Sequence, residues 1–206
     1  MTRRLARCSA GLVPLTDTDS PGDEVPDVPE PVTGARHLRP GENTVVDLRP
    51  WRAQISWHDP SNAVDLDACA LLLRSDGRVG TDHDMVFYNQ LTSPDGSIRH
   101  GGEQTLGSAD LFEELQVDLR AIPAHIATIA VCASVQDRTF AYVDGLHVRP
   151  EGGTNLVFAV PELSTERAVV LFEFYRRAGT WKVCAVGQGY DDGVAALAND
   201  FGVEVT

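Results

Sequence analysis

Short apolar runs separated by turn residues dominate the hydrophobic pattern of this chain from about Thr44 onwards. One run ends at Ser75-Asp76-Gly77, and Pro94-Asp95-Gly96 gives a second turn signal. The apolar runs predict ten strands, over 44–48, 52–57, 66–73, 85–88, 115–119, 127–135, 140–148, 155–160, 168–175 and 181–186. Many short strands joined by turns predict a mainly β domain, either a sandwich or a barrel.

One helical pattern stands out near the C-terminus. Apolar residues follow the spacing of a single helix face at Val194, Leu197, Ala198 and Phe201. Asp191 or Asp192 can cap the start of this helix, and Gly202 suits a left-handed C-terminal cap. We therefore predict one short C-terminal helix. The chain has no β-α-β alternation, which argues against a parallel nucleotide-binding sheet.

Residues 1–36 differ in composition from the rest of the chain. Five prolines interrupt a run of Asp, Glu, Ser and Thr that contains few large apolar residues. Such a segment buries too little surface to offset the entropy of ordering it, so we predict a disordered acidic tail before a domain over 37–206. No run approaches the ~18 apolar residues of a membrane-spanning helix, and no signal-peptide core follows the N-terminus. We predict a cytoplasmic protein without membrane insertion.

The chain is strongly acidic, with a formal net charge of −13 at pH 7. Residues 59–118 hold twelve carboxylates against three arginines, which is −9 of that total. Nucleic acids and anionic membrane surfaces require a basic patch, so neither is a predicted partner. The four cysteines show no Cys-x-x-Cys spacing, which argues against a zinc or redox motif.

Two acidic pairs precede predicted strands and suggest a metal site. Asp65 and Asp67 lie two residues apart, so both side chains point to one face of a strand while Leu66 points into the core. Asp82 and Asp84 repeat this arrangement before the next strand. If the two strands are neighbours, four carboxylates converge at one end of a sheet, as Ca²⁺ with its oxygen ligands requires. The alternative is that these aspartates cap turns and strand ends.

The sequence offers little support for catalysis. Paired carboxylates could serve as a glycosidase acid and base, but a chain with 30 acidic residues contains such pairs by chance. The histidines lie in loops or polar contexts without a nucleophile motif of the Gly-x-Ser-x-Gly type. Gly187-Gln188-Gly189 does not continue as a dinucleotide-binding loop. We predict a protein without enzymatic activity.

Several segments occur in the order and spacing of a known family. They are the run from Asp65-Leu66-Asp67 to Leu73, the run from Ser75-Asp76-Gly77 through Asp82-His83-Asp84 to Asn89, Ser93-Pro94-Asp95-Gly96-Ser97, and the C-terminal stretch Val186-Gly187-Gln188-Gly189-Tyr190 with Gly193-Val194-Ala195-Ala196-Leu197 and Asp200-Phe201-Gly202-Val203. Over about 39–205, the chain resembles the TerD domain of bacterial tellurium-resistance and stress-response proteins. The resemblance implies a two-sheet β-sandwich that binds Ca²⁺ through acidic loops and has no established catalytic activity.

The chain departs from the family pattern at two places. Leu111 and Phe112 stand where the family carries an acidic pair, and Ser56-Trp57-His58-Asp59 replaces its Gly-Trp-Asp. Losing two carboxylates removes four candidate ligand oxygens, so we expect one or two Ca²⁺ ions with one site weakened. The predicted metal ligands are Asp65, Asp67, Asp82 and Asp84, with Asn89, Asp95 and Asp110 as further candidates.

These observations predict a mainly β, two-sheet sandwich with a short C-terminal helix. The resemblance implies a cytoplasmic, calcium-binding stress-response or tellurite-resistance domain that acts with other proteins of a complex. The alternative is a metal-free protein-interaction module whose acidic edge only confers solubility.

Overall fold

The computed structural model describes residues 35–61, 63–106, 109–152 and 155–204. The predicted tail therefore lies almost wholly outside the described residues. The strands and the helix are β1 (Arg36–Leu38), β2 (Asn43–Val45), β3 (Trp51–His58), β4 (Leu66–Leu73), β5 (Met85–Val86), β6 (Ile98–Leu106), β7 (Asp110–Val117), β8 (Thr128–Val135), β9 (Asp144–Glu151), β10 (Leu156–Phe158), β11 (Ala168–Arg177), β12 (Thr180–Tyr190) and α1 (Gly193–Asp200).

These strands form two packed sheets. The first sheet has the order β1-β10-β9-β3-β7-β6, and the second has the order β2-β12-β11-β8-β4-β5. β1 and β10 are parallel, whereas the other paired strands of the described residues are antiparallel. The predicted mainly β, two-sheet sandwich with a short C-terminal helix is confirmed.

The burial of each sheet follows its sequence pattern. β3 alternates, with the side chains of Trp51, Ala53, Ile55 and Trp57 in the sandwich core. β4 is buried along nearly its whole length, because α1 covers the outer face of the second sheet. Leu71 and Leu73 contribute to a second apolar cluster on that face, together with Leu197 and Phe201 of the helix region. An alternating run thus packs on one face only, and a continuous apolar run packs on both.

The helix begins and ends as the sequence predicts, although one cap differs. Asp192 occupies the N-cap position, but its side chain accepts no capping hydrogen bond. Gly202 has φ +87°, the left-handed conformation expected after the last turn.

The strand predictions fail mainly around β6 and β9. β6 was not predicted, because its sequence contains Gly101 and Gly102 and few large apolar residues. β7 begins at Asp110, five residues before the predicted start at 115. The predicted strand over 140–148 is a 3-10 turn (Phe140–Tyr142) followed by β9. β6 pairs with β7 as an edge strand, so pairing rather than its own apolar pattern fixes its conformation.

Candidate metal-binding cleft

An acidic cleft of about 460 Å³ lies where the start of β4 faces β6 and β7. Carboxylates reach it from three strand regions, at Asp65, Asp67, Glu103 and Glu113. His100 and Gln136 also line it. The cleft therefore collects side chains from both sheets at one edge of the sandwich.

Glu113 anchors the inner side of the cleft. Glu113 lies on the same face of β7 as Leu111 and Leu115, so its side chain points inward and is only 3% exposed. The carboxylate accepts a hydrogen bond from the backbone N–H of Ala68 on β4. It also lies 3.3 Å from Nε2 of His100. A buried carboxylate thereby links the first sheet to the second.

His100 is the side-chain nitrogen partner of this carboxylate. Its Nδ1 accepts a hydrogen bond from the N–H of Gly102 (3.0 Å), and its Nε2 lies 3.1 Å from the carbonyl oxygen of Ala68. A neutral ring in this setting carries its proton on Nε2. Burial by itself lowers the pKa of His100, but the hydrogen bond and negative charge of Glu113 outweigh it, and the pKa is raised.

A bulge in β6 brings Glu103 to the cleft. The pairing with β7 shifts register between His100 and Glu103, and Gly102 adopts φ +75°. The pKa of Glu103 is raised, first by burial and then by the charges of Glu113, Asp65 and Asp67. Glu103 therefore sits in a field of like charge.

Asp65 and Asp67 lie as predicted on one face at the start of β4. Leu66 between them is 1% exposed and belongs to the core. Asp67 is half-buried, and its Oδ2 accepts a hydrogen bond from Nε2 of Gln136 (3.2 Å). Burial raises the pKa of Asp67, the charges of Asp65 and Glu113 add to this, and the Gln136 hydrogen bond opposes it.

Asp82 and Asp84 form a 3-10 turn immediately before β5, which pairs with β4 as the sequence argument required. Oδ2 of Asp84 accepts hydrogen bonds from the N–H groups of Gly80 (2.8 Å) and Thr81 (2.9 Å). Oδ1 of Asp82 accepts one from the N–H of Glu204 (3.0 Å). Asp82 shares a neighbouring cavity with Asp67, whereas the Asp84 carboxylate caps its own turn.

The three further candidates do not line the acidic cleft. Asn89 is exposed in the turn after β5. Oδ1 of Asp95 accepts hydrogen bonds from Oγ of Ser93 (2.8 Å) and the N–H of Ser97 (2.7 Å), which holds the predicted turn. Asp110 pairs with Nδ1 of His58 at 2.7 Å on the surface.

The altered family positions are structural in this chain. Leu111 is buried in the core and Phe112 is half-buried, both within β7. The Asp59 carboxylate accepts hydrogen bonds from the N–H groups of Val64 (2.7 Å) and Ser61 (3.2 Å). Burial alone raises the pKa of Asp59, but these hydrogen bonds outweigh it and lower the pKa. Asp59 thus braces the segment that leads into β4.

The sequence reasoning missed Glu103, Glu113 and His100. For Glu113 the signal was present, since an acidic residue stands at an inward position between Leu111 and Leu115.

Within the four described stretches, no three His, Cys, Asp or Glu side chains converge as a ready set of metal ligands. No helix among the described residues is long and apolar enough to cross a membrane.

Comparisons with known proteins place this fold. Residues 38–201 match the family model for the TerD domain. The chain is 37% identical over 153 residues to the tellurium resistance protein TerD of Serratia marcescens, which covers 69% of this chain and 80% of that protein. It is 32% identical over 177 residues to general stress protein 16U of Bacillus subtilis (strain 168), a match that covers 81% of this chain and 91% of that protein.

Two solved structures share the architecture. The crystal structure of protein SAV2460, of unknown function, has a TM-score of 0.63 at 24% identity and covers 77% of this chain and 99% of that one. The homologue of telluride resistance protein (TerD) from Streptomyces coelicolor A3(2), SCO6318, has a TM-score of 0.59 at 24% identity, covering 74% and 96%. The family-model match and the curated relatives show that this chain belongs to the TerD domain family of tellurium-resistance and general stress proteins.

Proposed function

We propose that this chain is a calcium-binding, non-enzymatic member of that family, which acts in a complex with other stress-response proteins. The observation that supports calcium is the acidic cleft, which is lined by Asp65, Asp67, Glu103 and Glu113 together with His100. Carboxylates that share one cleft repel each other, and a divalent cation would reduce that repulsion.

The chemistry of the donor set fits Ca²⁺ better than a transition metal. The cleft offers carboxylate oxygens and the amide of Gln136, which are hard ligands. His100 is not free to act as a nitrogen ligand, because Nδ1 accepts from Gly102 and Nε2 faces Ala68 and Glu113. Thiols are absent from the lining of the cleft, so we favour a calcium site over a zinc site.

A bound ion would supply positive charge between the start of β4 and the β6–β7 hairpin. In this proposal Asp65, Asp67 and Glu103 move together as they bind it, since their oxygens are not already arranged as a cage. Binding would lower the pKa of Asp67 and of Glu103 and would stabilise the fold by mass action. At a concentration of 100 times the Kd, this stabilisation is about 2.7 kcal/mol.

The test is isothermal titration of Ca²⁺ into chelator-treated full-length protein, with thermal unfolding in parallel. Asp67→Asn and Glu103→Gln should each weaken or abolish the binding heat. Asp144→Asn is a matched control, because Asp144 is exposed at the start of β9, outside the cleft. Absence of both heat and a melting shift at about 1 mM Ca²⁺ would refute the calcium proposal.

A second candidate is a metal-free interaction module. It is favoured by the lack of a preformed ligand set among the described residues and by the turn-capping role of Asp84 and Asp95. Co-purification from cells in Ca²⁺ and in chelator separates the two candidates. Partners that stay bound equally in both conditions, with no calcium heat, support the metal-free module; partners released by chelator support the first proposal.

A further inference from the structure

A second, larger cavity adjoins the acidic cleft, and Asp67, Tyr88 and Gln136 line both. It has a volume of about 860 Å³, within the range of small-molecule binding sites. The outer face of the second sheet forms its floor, at Cys69 and Ser134. The start of α1 and the segment around β5 form its two walls. Of the groups offered to calcium, Asp67 and Gln136 also line this cavity, so calcium binding and amine binding are measured separately in each variant.

Apolar groups line both walls and remain accessible. Tyr88 is 52% exposed and packs edge-on against Phe87, with ring centroids 5.4 Å apart. Val194 on α1 is 40% exposed, and Ala195 lies beside it. An aromatic ring and a branched aliphatic side chain that flank one cavity present a surface for a flat apolar group.

The charges around this cavity select the sign of a ligand. One arginine and five carboxylates line the cavity. The carboxylates belong to Asp67, Asp82, Asp137, Asp192 and Glu204. The arginine, Arg167, donates to the carbonyl oxygen of Gln136. The side chains of Asp137, Asp192 and Glu204 make no hydrogen bond or ion pair with another described residue. A cleft lined by one sign of charge concentrates ligands of the opposite sign.

We propose that this cavity binds a small organic amine, with its apolar body between Tyr88 and Val194 and its ammonium group towards the carboxylates. The exposed tyrosine adds a cation–π contribution for a protonated nitrogen near its ring. A neutral apolar molecule would gain only the contacts with the walls. An organic anion would meet repulsion from the carboxylates.

Tryptamine is a suitable probe because its indole ring and ammonium group match the two parts of the cavity. Titration followed by calorimetry or NMR should show saturable binding to the full chain. Tryptophol has the same ring with a hydroxyl in place of the amine and should bind about tenfold more weakly. Indole-3-propionate has the same ring with a negative charge and should show no saturable binding.

Two variants locate the site. Val194→Arg places a competing cation in the cavity and should reduce tryptamine affinity about tenfold or more. Asn199→Arg adds the same charge at an exposed position of α1 that does not line the cavity, and should leave the affinity within about twofold. If Val194→Arg does not fold, Tyr88→Ala removes the exposed ring and should lower tryptamine affinity several-fold; because Tyr88 also lines the acidic cleft, its calcium heat is not used as a control. Neither Val194 nor Asn199 lines the acidic cleft, so the calcium heat of both variants should match that of the unmodified chain.

Three outcomes would overturn the proposal. The first is no saturation by tryptamine at millimolar concentration, and the second is equal binding of tryptamine and indole-3-propionate. The third is an equal loss of affinity in Val194→Arg and Asn199→Arg, which would mean that net charge alone attracts the amine. Since calcium binding is measured separately in the same variants, failure here leaves the calcium proposal unaffected.

Discussion

Replacing Asp67 by asparagine should make the metal-free protein more stable at neutral pH. Asp67 is half-buried beside Asp65 and near Glu113, and its pKa is raised mainly by burial and by those charges. A carboxyl whose pKa is raised by folding costs stability whenever it is ionised. Asparagine keeps an oxygen that can accept from Gln136 but carries no charge, so the cost is removed.

The expected size follows from the exposure of the site. Because Asp67 is partly exposed to solvent, removing its charge should gain no more than a surface electrostatic interaction is worth, about 0.2–1 kcal/mol in the free energy of unfolding. For a chain of this size, 1 kcal/mol corresponds to a rise of about 2–4 °C in melting temperature. The same variant should lose the stabilisation by Ca²⁺, so a gain in the absence of the ion and a loss in its presence are expected together.

The pH dependence gives the sharper test. Because the folded-state pKa of Asp67 lies above its ordinary value of 3.8, the folded protein binds this proton more tightly than the unfolded chain does. The advantage of Asp67→Asn should therefore be full above the folded pKa and should disappear as the pH falls towards about 4.

Urea unfolding in chelator at several pH values measures this difference, and Asp144→Asn serves as the matched control on the surface. A variant that is less stable than the unmodified chain at neutral pH would refute the reasoning. An advantage that is unchanged at about pH 4 would do the same.

Three further substitutions test the surrounding structure. Glu113→Leu should cost about 1–3 kcal/mol in urea unfolding, since the buried N–H of Ala68 loses its acceptor, whereas Glu113→Gln should cost less. Gly102→Ala should lower the free energy of unfolding by about 1–2 kcal/mol, because alanine is strained at φ +75°. No atom lies within 4 Å of the added methyl group, so backbone strain alone should lower the melting temperature. Phe201→Ala should cost about 3–5 kcal/mol in thermal unfolding, because the ring is 1% exposed between α1 and the second sheet; a loss below about 1 kcal/mol would contradict that packing.

The sequence predicts the fold where side-chain burial has a simple period. β4 matches its prediction at both ends, and α1 follows the i, i+3, i+4 spacing. β6 was not predicted, because its two glycines leave it without an alternating apolar pattern. Its strand conformation comes from backbone hydrogen bonds to the neighbouring strand β7. Burial pattern is a local property, whereas strand pairing joins residues distant in the chain.

The candidate site was only half predictable for the same reason. Asp65 and Asp67 share a face because the strand period fixes that locally. Their acidic neighbours, Glu103 and Glu113, come from strands of the other sheet, and a bulge sets the position of Glu103. The spacing of Asp84 and Asp95 suggested ligands equally well, yet their oxygens accept hydrogen bonds from nearby backbone N–H groups. Local spacing cannot separate a turn cap from a ligand, since both use short polar side chains near strand ends.

The bulge in β6 has a consequence for self-association. The start of this outermost strand is covered by the segment around Leu91 and Ser93, but from Gly101 onwards its edge faces outwards. A straight edge strand offers unpaired backbone groups to a strand of another molecule, and irregular twist or charge prevents such docking. Gly102 and Glu103 supply both, so we expect this side of the sheet to resist pairing with a second copy of the chain. Straightening the strand and neutralising the Glu103 carboxylate together should expose an edge strand that can pair with other copies and form fibres.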